Sequence, residues 1–490
     1  MLNTKQESQE AMEFVSIGEL VPGDHLLRKV LKAIDFEFIR GRVKELYCCD
    51  NGRPAIDPVV LFKMIFIGYF FGIRSERQLE REIQVNVAYR WFLGFGLRDR
   101  VPDASTLSQN RRRRFSENTV YQDIFDEIVL QAVDLGLVDG KILYTDSTHL
   151  KANANKNKFE EKEVKRSTRK YLEALEEEVS ADRMVHGKKA LKEKDPEEDK
   201  RTIKVSTVDP ESGYMIRDGK PKGFFYLDHR TVDSKHAIIT DSHATPANVH
   251  DSIPYLDRLD RQQKRFGFEV EAVGLDAGYF TPGICKGLED RNIYGVMGYR
   301  RPNHIKGYFY KREFEYDHER DSYWCPCGQE ILYKTTNRGG YREYISDAKQ
   351  CRKCEYLGQC TKSANCRKVI TRHVWQESKE RIDEHRLSEY GKAIYARRKE
   401  TVERSFADAK QLHGHRYARM RGLKKVLEQC LLAAACQNMK KIALIIARRL
   451  NTPPDWPAEV AMPVFNSILR ILNFIFHSQN FLRQQILTNS

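Results

Sequence analysis

The sequence predicts an α/β protein in which a mixed sheet with covering helices follows an all-α N-terminal region. Residues 16–135 carry helical patches such as LLRKVLKAIDFEFIRGRV, and short strand-like runs begin near residue 139. A long helical pattern then runs from about 377 to 450. Strands followed by helices that cover them form a layered α/β architecture.

The composition favours a nucleic-acid partner. The 490 residues hold 83 Lys and Arg against 69 Asp and Glu, which leaves a net charge of +14. A chain this basic favours polyanions, and nucleic acid comes first among them. The hydrophobic fraction of 41% excludes a wholly disordered chain. A mean hydropathy of −0.61 argues against a membrane protein, so we interpret the apolar runs 58–73 and 430–446 as buried helices.

The cellular compartment follows from the N-terminus and the cysteines. The first residues, MLNTKQESQEAMEF, contain no apolar segment of the kind that a secretory signal needs. Eleven cysteines, six of them within 325–366, do not form the ladder of a secreted disulfide scaffold. We therefore expect a reduced cytoplasmic setting.

The elements follow in a definite order. After the helical residues 1–135, the run KILYTDST predicts a strand, because a short apolar run ends at a turn signal. Residues 156–201, rich in Lys, Arg, Glu and Asp, predict a solvated helical insertion. Further strands are predicted at FFYLDHRTVD, HAIITDSHATP, FEVEAVGLDAGYF and IYGVMGYR, the last after the helix ICKGLEDRN. A cysteine-rich insertion, 303–372, separates these strands from the rest of a domain spanning 136–450, and prolines set off a tail at 451–490.

Three carboxylates stand out by position. Asp146 ends the predicted strand KILYTDST, Asp276 ends EAVGLDAGY, and Glu403 lies in the helix ARRKETVERSFADAKQLHG. Catalytic groups of open sheets lie at the C-terminal ends of strands. Three converging carboxylates need a cation, and all-oxygen donors select Mg²⁺ or Mn²⁺. Two such ions about 3.5–4 Å apart act on phosphodiesters. The alternative is that each acid is an ordinary loop residue or a helix cap.

Basic residues lie in two of the predicted helices, the one that contains Glu403 and the one near residue 110. In the Glu403 helix, Val402 and Phe406 are spaced to pack on the sheet, and Lys410 lies two turns beyond Glu403. Near residue 110, four consecutive arginines point in several directions, so phosphate contacts are expected rather than base contacts: Arg111, Arg112, Arg113 and Arg114. The alternatives are a surface helix with ion pairs and a plain helical bundle with a charged face.

The cysteine-rich insertion has the spacing of a zinc ribbon. Cys351-x2-Cys354 and Cys360 form the firmest part, and Cys325 or Cys327 supplies a fourth thiol. Such a closed site would be structural. The alternative is an insertion without metal, whose thiols merely pack.

Four stretches resemble bacterial insertion-sequence transposases of the DDE type, which have a ribonuclease-H-like catalytic domain. GRPAIDPVVLFKMIFIGYFFGIRSERQLEREI resembles their N-terminal helical domain, and PDASTLSQNRRRRF resembles the segment that closes it. TDSTHLKANANK with ATPANVHDS, and then GLDAGY, resemble the two aspartate regions. Tyr395, Arg398, Glu403 and Lys410 resemble the family's Tyr-Arg-Glu-Lys signature, with four residues instead of three between Arg and Glu.

The resemblance implies a function. Asp146, Asp276 and Glu403 would hold two Mg²⁺ or Mn²⁺ ions, while Tyr395, Arg398 and Lys410 would contact DNA near the scissile phosphate. The N-terminal DNA-binding domain would help to recognise terminal inverted repeats. The enzyme would cut its element's ends and join the 3′-hydroxyls to target DNA, as a dimer or higher oligomer on double-stranded DNA. Two alternatives remain: a ribonuclease-H-like nuclease that does not join ends, and a non-catalytic DNA-binding regulator derived from a transposase.

Overall fold

The computed structural model describes residues 14–48, 55–115, 118–165, 170–192, 200–216, 221–299 and 305–451. The predicted tail beyond residue 451 lies outside this part of the chain. Within it, the prediction of an α/β protein is confirmed, because helices cover a mixed sheet.

Helices occupy the described chain before the first strand. They are α1 (Ile17–Leu20), α2 (Leu26–Ala33), α3 (Phe38–Val43), α4 (Pro58–Phe70), α5 (Glu76–Val85), α6 (Val87–Leu93), α7 (Ala104–Arg113) and α8 (Val120–Asp134). Polar capping residues fix where several of these helices begin. Asp57 accepts a hydrogen bond from the Val59 N–H in front of Pro58, whose fixed φ suits a first turn.

The charged insertion is not wholly helical, and this prediction was wrong. After β1 (Ile142–Lys151), β2 (Phe159–Lys165) pairs antiparallel with β3 (Lys200–Ser206). Among the residues described between these two strands, only α9 (Lys170–Val185) is helical. Glu161 lies opposite Lys204, and Glu160 contacts Lys162 on the same strand face. Opposite charges across a strand pair stabilise a sheet as well as they stabilise a helix face, so composition alone did not separate the two.

The main sheet has β1 at its centre. Its other strands are β4 (Gly213–Met215), β5 (Gly223–Asp233), β6 (Ile239–Pro246), β7 (Ala272–Leu275) and β8 (Tyr294–Met297), with α10 (Tyr255–Phe266) and α11 (Pro282–Glu289) between them. The order is β4-β5-β1-β7-β8, and β6 also pairs with β5. β1 runs antiparallel to β5 and parallel to β7, and β7 runs parallel to β8.

The cysteine-rich insertion forms a sheet of its own. Its strands are β9 (Glu315–Asp317), β10 (Ser322–Trp324), β11 (Glu330–Thr336), β12 (Tyr341–Ile345) and β13 (Val369–His373), with the short helices α12 (Ala348–Cys351) and α13 (Leu357–Cys360). This antiparallel sheet encloses a small core of Phe314, Tyr323, Ile331, Tyr344 and Ile370.

The final helical pattern is divided into α14 (Gln376–Leu387), α15 (Glu389–Ala396), α16 (Val402–Leu412) and α17 (Leu423–Asn451). α17 is the one described helix that is long and apolar enough to cross a membrane, but 67% of its apolar window is buried inside the protein. It packs on β6 and on α2, α4 and α8. A single hydrophobic core thereby joins the N-terminal helices to the main sheet.

Candidate active site

The register of the main sheet places two of the candidate carboxylates side by side. Thr145 on β1 lies opposite Leu275, the last residue of β7, and the parallel pairing ends there. The next residue after each of these two is an aspartate: Asp146 follows Thr145, and Asp276 follows Leu275. Asp146 does not end its strand as predicted: β1 continues to Lys151, because β5 goes on pairing with it on the other side.

The third carboxylate comes from the start of α16. Val402 is fully buried and Phe406 nearly so, and they pack the helix on the sheet as their spacing predicted. Glu403 lies in the first turn and is about half exposed. A carboxylate in the first turn is stabilised by the helix dipole.

Arg398 lies between the three acids. Its guanidinium Nη2 is 2.9 Å from Asp146 Oδ2, while Nη1 is 3.7 Å from Asp276 Oδ1 and 3.9 Å from Glu403 Oε1. The arginine side chain is only 4% exposed, whereas those of Asp276 and Glu403 are 53% and 48% exposed. Arg398 is therefore an internal partner of the acids, and the expectation that it reaches out to DNA does not fit its burial.

The electrostatics of the site favour a cation. Burial, with a smaller contribution from the charge of Asp276, raises the pKa of Asp146 to about 6 against the opposing effect of Arg398. One guanidinium cannot neutralise three ionised carboxylates. The oxygen-only donor set, two members of which are open to solvent, fits a hard divalent ion.

Tyr395 and a glycine complete the floor of the site. The Arg398 Nη1 donates to the Tyr395 hydroxyl at 3.3 Å. A Cβ on Gly298, just after β8, would lie 2.6 Å from that hydroxyl and 2.9 Å from the Ala277 nitrogen. Only glycine allows this close approach. Lys410 lies two turns further along α16 than Glu403, a rise of roughly 10 Å along the helix axis.

The four arginines near residue 110 fall into two groups that differ in burial. Arg111 forms an ion pair with Glu76, and Arg114 donates to Asn110 and lies 4.3 Å from the centre of the Tyr47 ring. Both side chains are partly buried, and both contact other side chains of the protein. Arg112 and Arg113 are exposed at the end of α7.

A basic cleft of about 970 Å³ opens beside these arginines. Seven cations and two acids line it: Arg74, Arg77, Arg111, Arg112, Arg419, Lys424, Lys425, Glu76 and Glu428. The wall of this cleft continues to the main sheet. The Arg74 guanidinium lies 5.1 Å from the Tyr417 ring, and Tyr417 bridges to Lys151 at the end of β1. Asp146 is five residues back along that strand, roughly 17 Å away.

Glu428 in this cleft gives a pH-dependent prediction. Burial raises its pKa to about 7, and its Oε2 has no hydrogen-bond partner within the described chain. Because this folded-state value exceeds the unfolded value of about 4.3, the ionised form destabilises folding, and increasingly so as pH rises from about 4 to 7. Glu428→Gln should therefore raise the midpoint of thermal unfolding at pH 8 and hardly at pH 4. An equal change at both pH values would contradict this.

The predicted zinc thiols are gathered in one place. Cys325, Cys327, Cys351, Cys354 and Cys360 line a single small cavity of about 40 Å³ in the cysteine-rich sheet. The cysteines of the described chain are free thiols.

A buried polar network under the site was not predicted. Asp228 Oδ2 accepts from Arg230 Nε at 2.8 Å and from His415 Nε2 at 2.9 Å, and all three side chains are almost fully buried. The feature of the sequence that could have predicted this network is the polar run Asp228-His229-Arg230 inside an otherwise apolar strand.

Asp228, His415 and Cys430 also form a possible metal-binding triad, with ligand atoms within 4.8 Å of one another. The Arg230 guanidinium already occupies the same carboxylate oxygen, and it would repel a cation placed there. We interpret the triad as part of a structural ion-pair network.

Two family models match the chain. A transposase domain (DUF772) matches residues 15–113, and a transposase DDE domain matches residues 324–443. The second match contains Arg398, Glu403 and Lys410, while both aspartates lie outside either match. No curated protein matches the chain.

One solved structure resembles the chain, the piggyBac transposase synaptic complex with hairpin DNA. It is 10% identical, with 91% of this chain and 83% of that chain covered, but a TM-score of 0.25 is too low to support structural argument. The fold is mixed α/β, and its candidate site consists of three carboxylates around one arginine. The family matches support a transposase of the DDE type.

Proposed function

We propose that the protein is a bacterial insertion-sequence DDE transposase. In this proposal it binds the terminal inverted repeats of its element, cleaves the DNA at the element's ends and transfers the 3′-hydroxyl ends to target DNA. The observation that carries it is the convergence of Asp146, Asp276 and Glu403, from two strands and a helix, on one guanidinium. The main sheet, with β1 central and β5 antiparallel, would be ribonuclease-H-like.

Asp146, Asp276 and Glu403 would hold two Mg²⁺ or Mn²⁺ ions. When bound, such ions activate the attacking water or 3′-hydroxyl and stabilise the leaving oxygen of a phosphodiester. The sheet register holds the two aspartates adjacent, and the first turn of α16 presents Glu403 beside them. Arg398 keeps the carboxylates close together and offsets part of their mutual repulsion.

The DNA would run along the basic cleft and past the end of β1 to the acids. The cleft has an excess of five positive charges among its lining residues, which suits a phosphate backbone. Arg112 and Arg113 are exposed near the cleft and would contact phosphates there, whereas Arg111 and Arg114 are partly buried against other side chains of the protein. Tyr395 and Lys410 flank the acids. We expect a dimer or higher oligomer on DNA, acting on the bacterial nucleoid in the cytoplasm.

Removing two cleft lysines tests this DNA path. Lys424→Gln with Lys425→Gln should weaken binding to duplex DNA and make the slope of log K against log salt shallower by about 1.8, since each lost phosphate contact accounts for about 0.9. Fluorescence anisotropy at several salt concentrations measures both. Lys141→Gln with Lys286→Gln is the matched control, because it removes the same charge from lysines already paired with acids elsewhere. Equal losses in both double variants would contradict a role for the cleft.

An assay on labelled inverted-repeat DNA with Mg²⁺ separates the candidate functions. The transposase proposal predicts cutting at the repeat end, followed by joining to unlabelled target DNA. Cutting without joining would favour the nuclease. Binding without any cutting would favour the regulator and would contradict the catalytic proposal.

A further inference from the structure

The five thiols of the cysteine-rich sheet come from two distant parts of the chain. Cys325 and Cys327 lie on the turn that joins β10 to β11, and Cys351, Cys354 and Cys360 lie on or next to α12 and α13. They line one cavity of about 40 Å³. The Sγ atoms of Cys327 and Cys354 are 3.4 Å apart, so the fold brings the two segments into thiol contact.

The β10–β11 turn holds the Cys325 sulfur in place. Cys325 Sγ accepts a hydrogen bond from the backbone N–H of Gln329 at 3.3 Å, and Gly328 takes a φ of +71° that closes the turn. Cys325 and Cys360 also pack against the small core of the sheet, which fixes two sulfur atoms on the inner side of the cavity.

The apolar core of the cysteine-rich sheet is small. It consists of five buried side chains, and units this small usually need a disulfide or a metal. A thiol-only donor set selects Zn²⁺ and not the hard ions expected at the three carboxylates. Four thiolates close a tetrahedral site and leave no position open for a substrate.

We propose that one structural Zn²⁺ ion is bound in this cavity by Cys325, Cys351, Cys354 and Cys360. Cys327 is the fifth thiol, with its Sγ 3.4 Å from Cys354 Sγ. We choose Cys325 over it as the fourth ligand because Cys325 is held by the Gln329 N–H and packs against the core of the sheet. The ion ties the β10–β11 turn to α12 and α13. It thereby stabilises a sheet whose other side holds α9 through the Asp182–Arg342 ion pair.

Zinc content of the full-length protein tests the proposal without any DNA. Protein purified under reducing conditions should contain about one zinc per chain by elemental analysis. Cys325→Ser and Cys354→Ser should lose most of it. Cys327→Ser should retain it, and so should Cys366→Ser, the matched control, because Cys366 does not line the cavity. A zinc-free wild type would overturn the proposal, and loss of zinc in Cys327→Ser but not in Cys325→Ser would overturn the ligand set.

A second measurement keeps the test independent of variants that fail to fold. Removing zinc from the wild type with a chelator should lower the midpoint of thermal unfolding, and adding Zn²⁺ back, but not Mg²⁺, should restore it. Thiol counting without reductant addresses the alternative of a Cys327–Cys354 disulfide. Two missing thiols in a zinc-free protein would overturn the proposal in favour of that disulfide. Failure of the DNA assays would leave these results unchanged.

Discussion

Replacing Asp276 with Asn, or Glu403 with Gln, is expected to abolish both DNA cleavage and strand transfer. Each change removes a charged oxygen that we propose as a metal ligand, from a site whose other members are fixed by the sheet and by α16. Loss of metal-assisted stabilisation worth about 4 kcal/mol corresponds to a rate lower by about three orders of magnitude. Gel assays on labelled inverted-repeat DNA measure the rates of cleavage and strand transfer.

The same two variants should bind the repeat DNA with unchanged or slightly higher affinity, because the cleft cations remain. Asp290→Asn is the matched control: this aspartate pairs with Lys286 at the exposed end of α11 and should leave activity unchanged. Residual cleavage within tenfold of the wild type in either variant would contradict the assignment of the acids. Equal inactivity of Asp290→Asn would point to instability as the cause.

Breaking the buried network beneath the site should cause the largest loss of stability. Arg230 and Asp228 are both fully buried, so Asp228→Ala leaves an uncompensated guanidinium in the core. Removing one partner of a buried ion pair typically costs about 3–5 kcal/mol of unfolding free energy. Chemical denaturation near pH 7 measures the loss. Arg230 also donates to Ser405, two residues from Glu403, so activity should fall with stability.

A double variant and a pH series sharpen this prediction. Asp228→Leu with Arg230→Met should be more stable than Asp228→Ala, because no buried charge is left unpaired. Burial by itself would raise the pKa of Asp228, but Arg230 and the His415 hydrogen bond together hold it well below the ordinary value. The ion pair therefore stabilises the fold above about pH 4, and its contribution is lost as pH falls towards the folded-state pKa. A constant difference between wild type and Asp228→Ala across that range would contradict this account.

Local patterns predicted much of the fold because they depend on short-range chemistry. The apolar runs before Asp146 and Asp276 identified two neighbouring strands, and the four-residue spacing of Val402 and Phe406 identified the buried face of α16. The charged ribbon of β2 and β3 was missed, since alternating Glu and Lys satisfy a strand and a helix equally well. The continuation of β1 past Asp146 depends on pairing with β5, some 80 residues away, which no local pattern records.

The candidate site was predicted as a set of residues, but its internal contacts were not. The three acids were chosen by position, and the structure places them around Arg398. That arginine was expected to face DNA, because sequence shows a charge without showing its burial. The division of the four arginines near residue 110 likewise depends on Glu76 and Tyr47, which reach them only in the folded chain.

Metal rescue tests most directly whether the three carboxylates form one divalent-ion site acting on DNA. Asp276→Cys and Glu403→Cys place a softer thiolate where an oxygen was, and Mn²⁺ accepts such a ligand more readily than Mg²⁺. We predict that both variants fail to cleave repeat DNA in Mg²⁺ and recover activity in Mn²⁺, while the wild type and Asp290→Cys use both ions. Wild-type cleavage by Asp276→Cys or Glu403→Cys in Mg²⁺ would contradict the account.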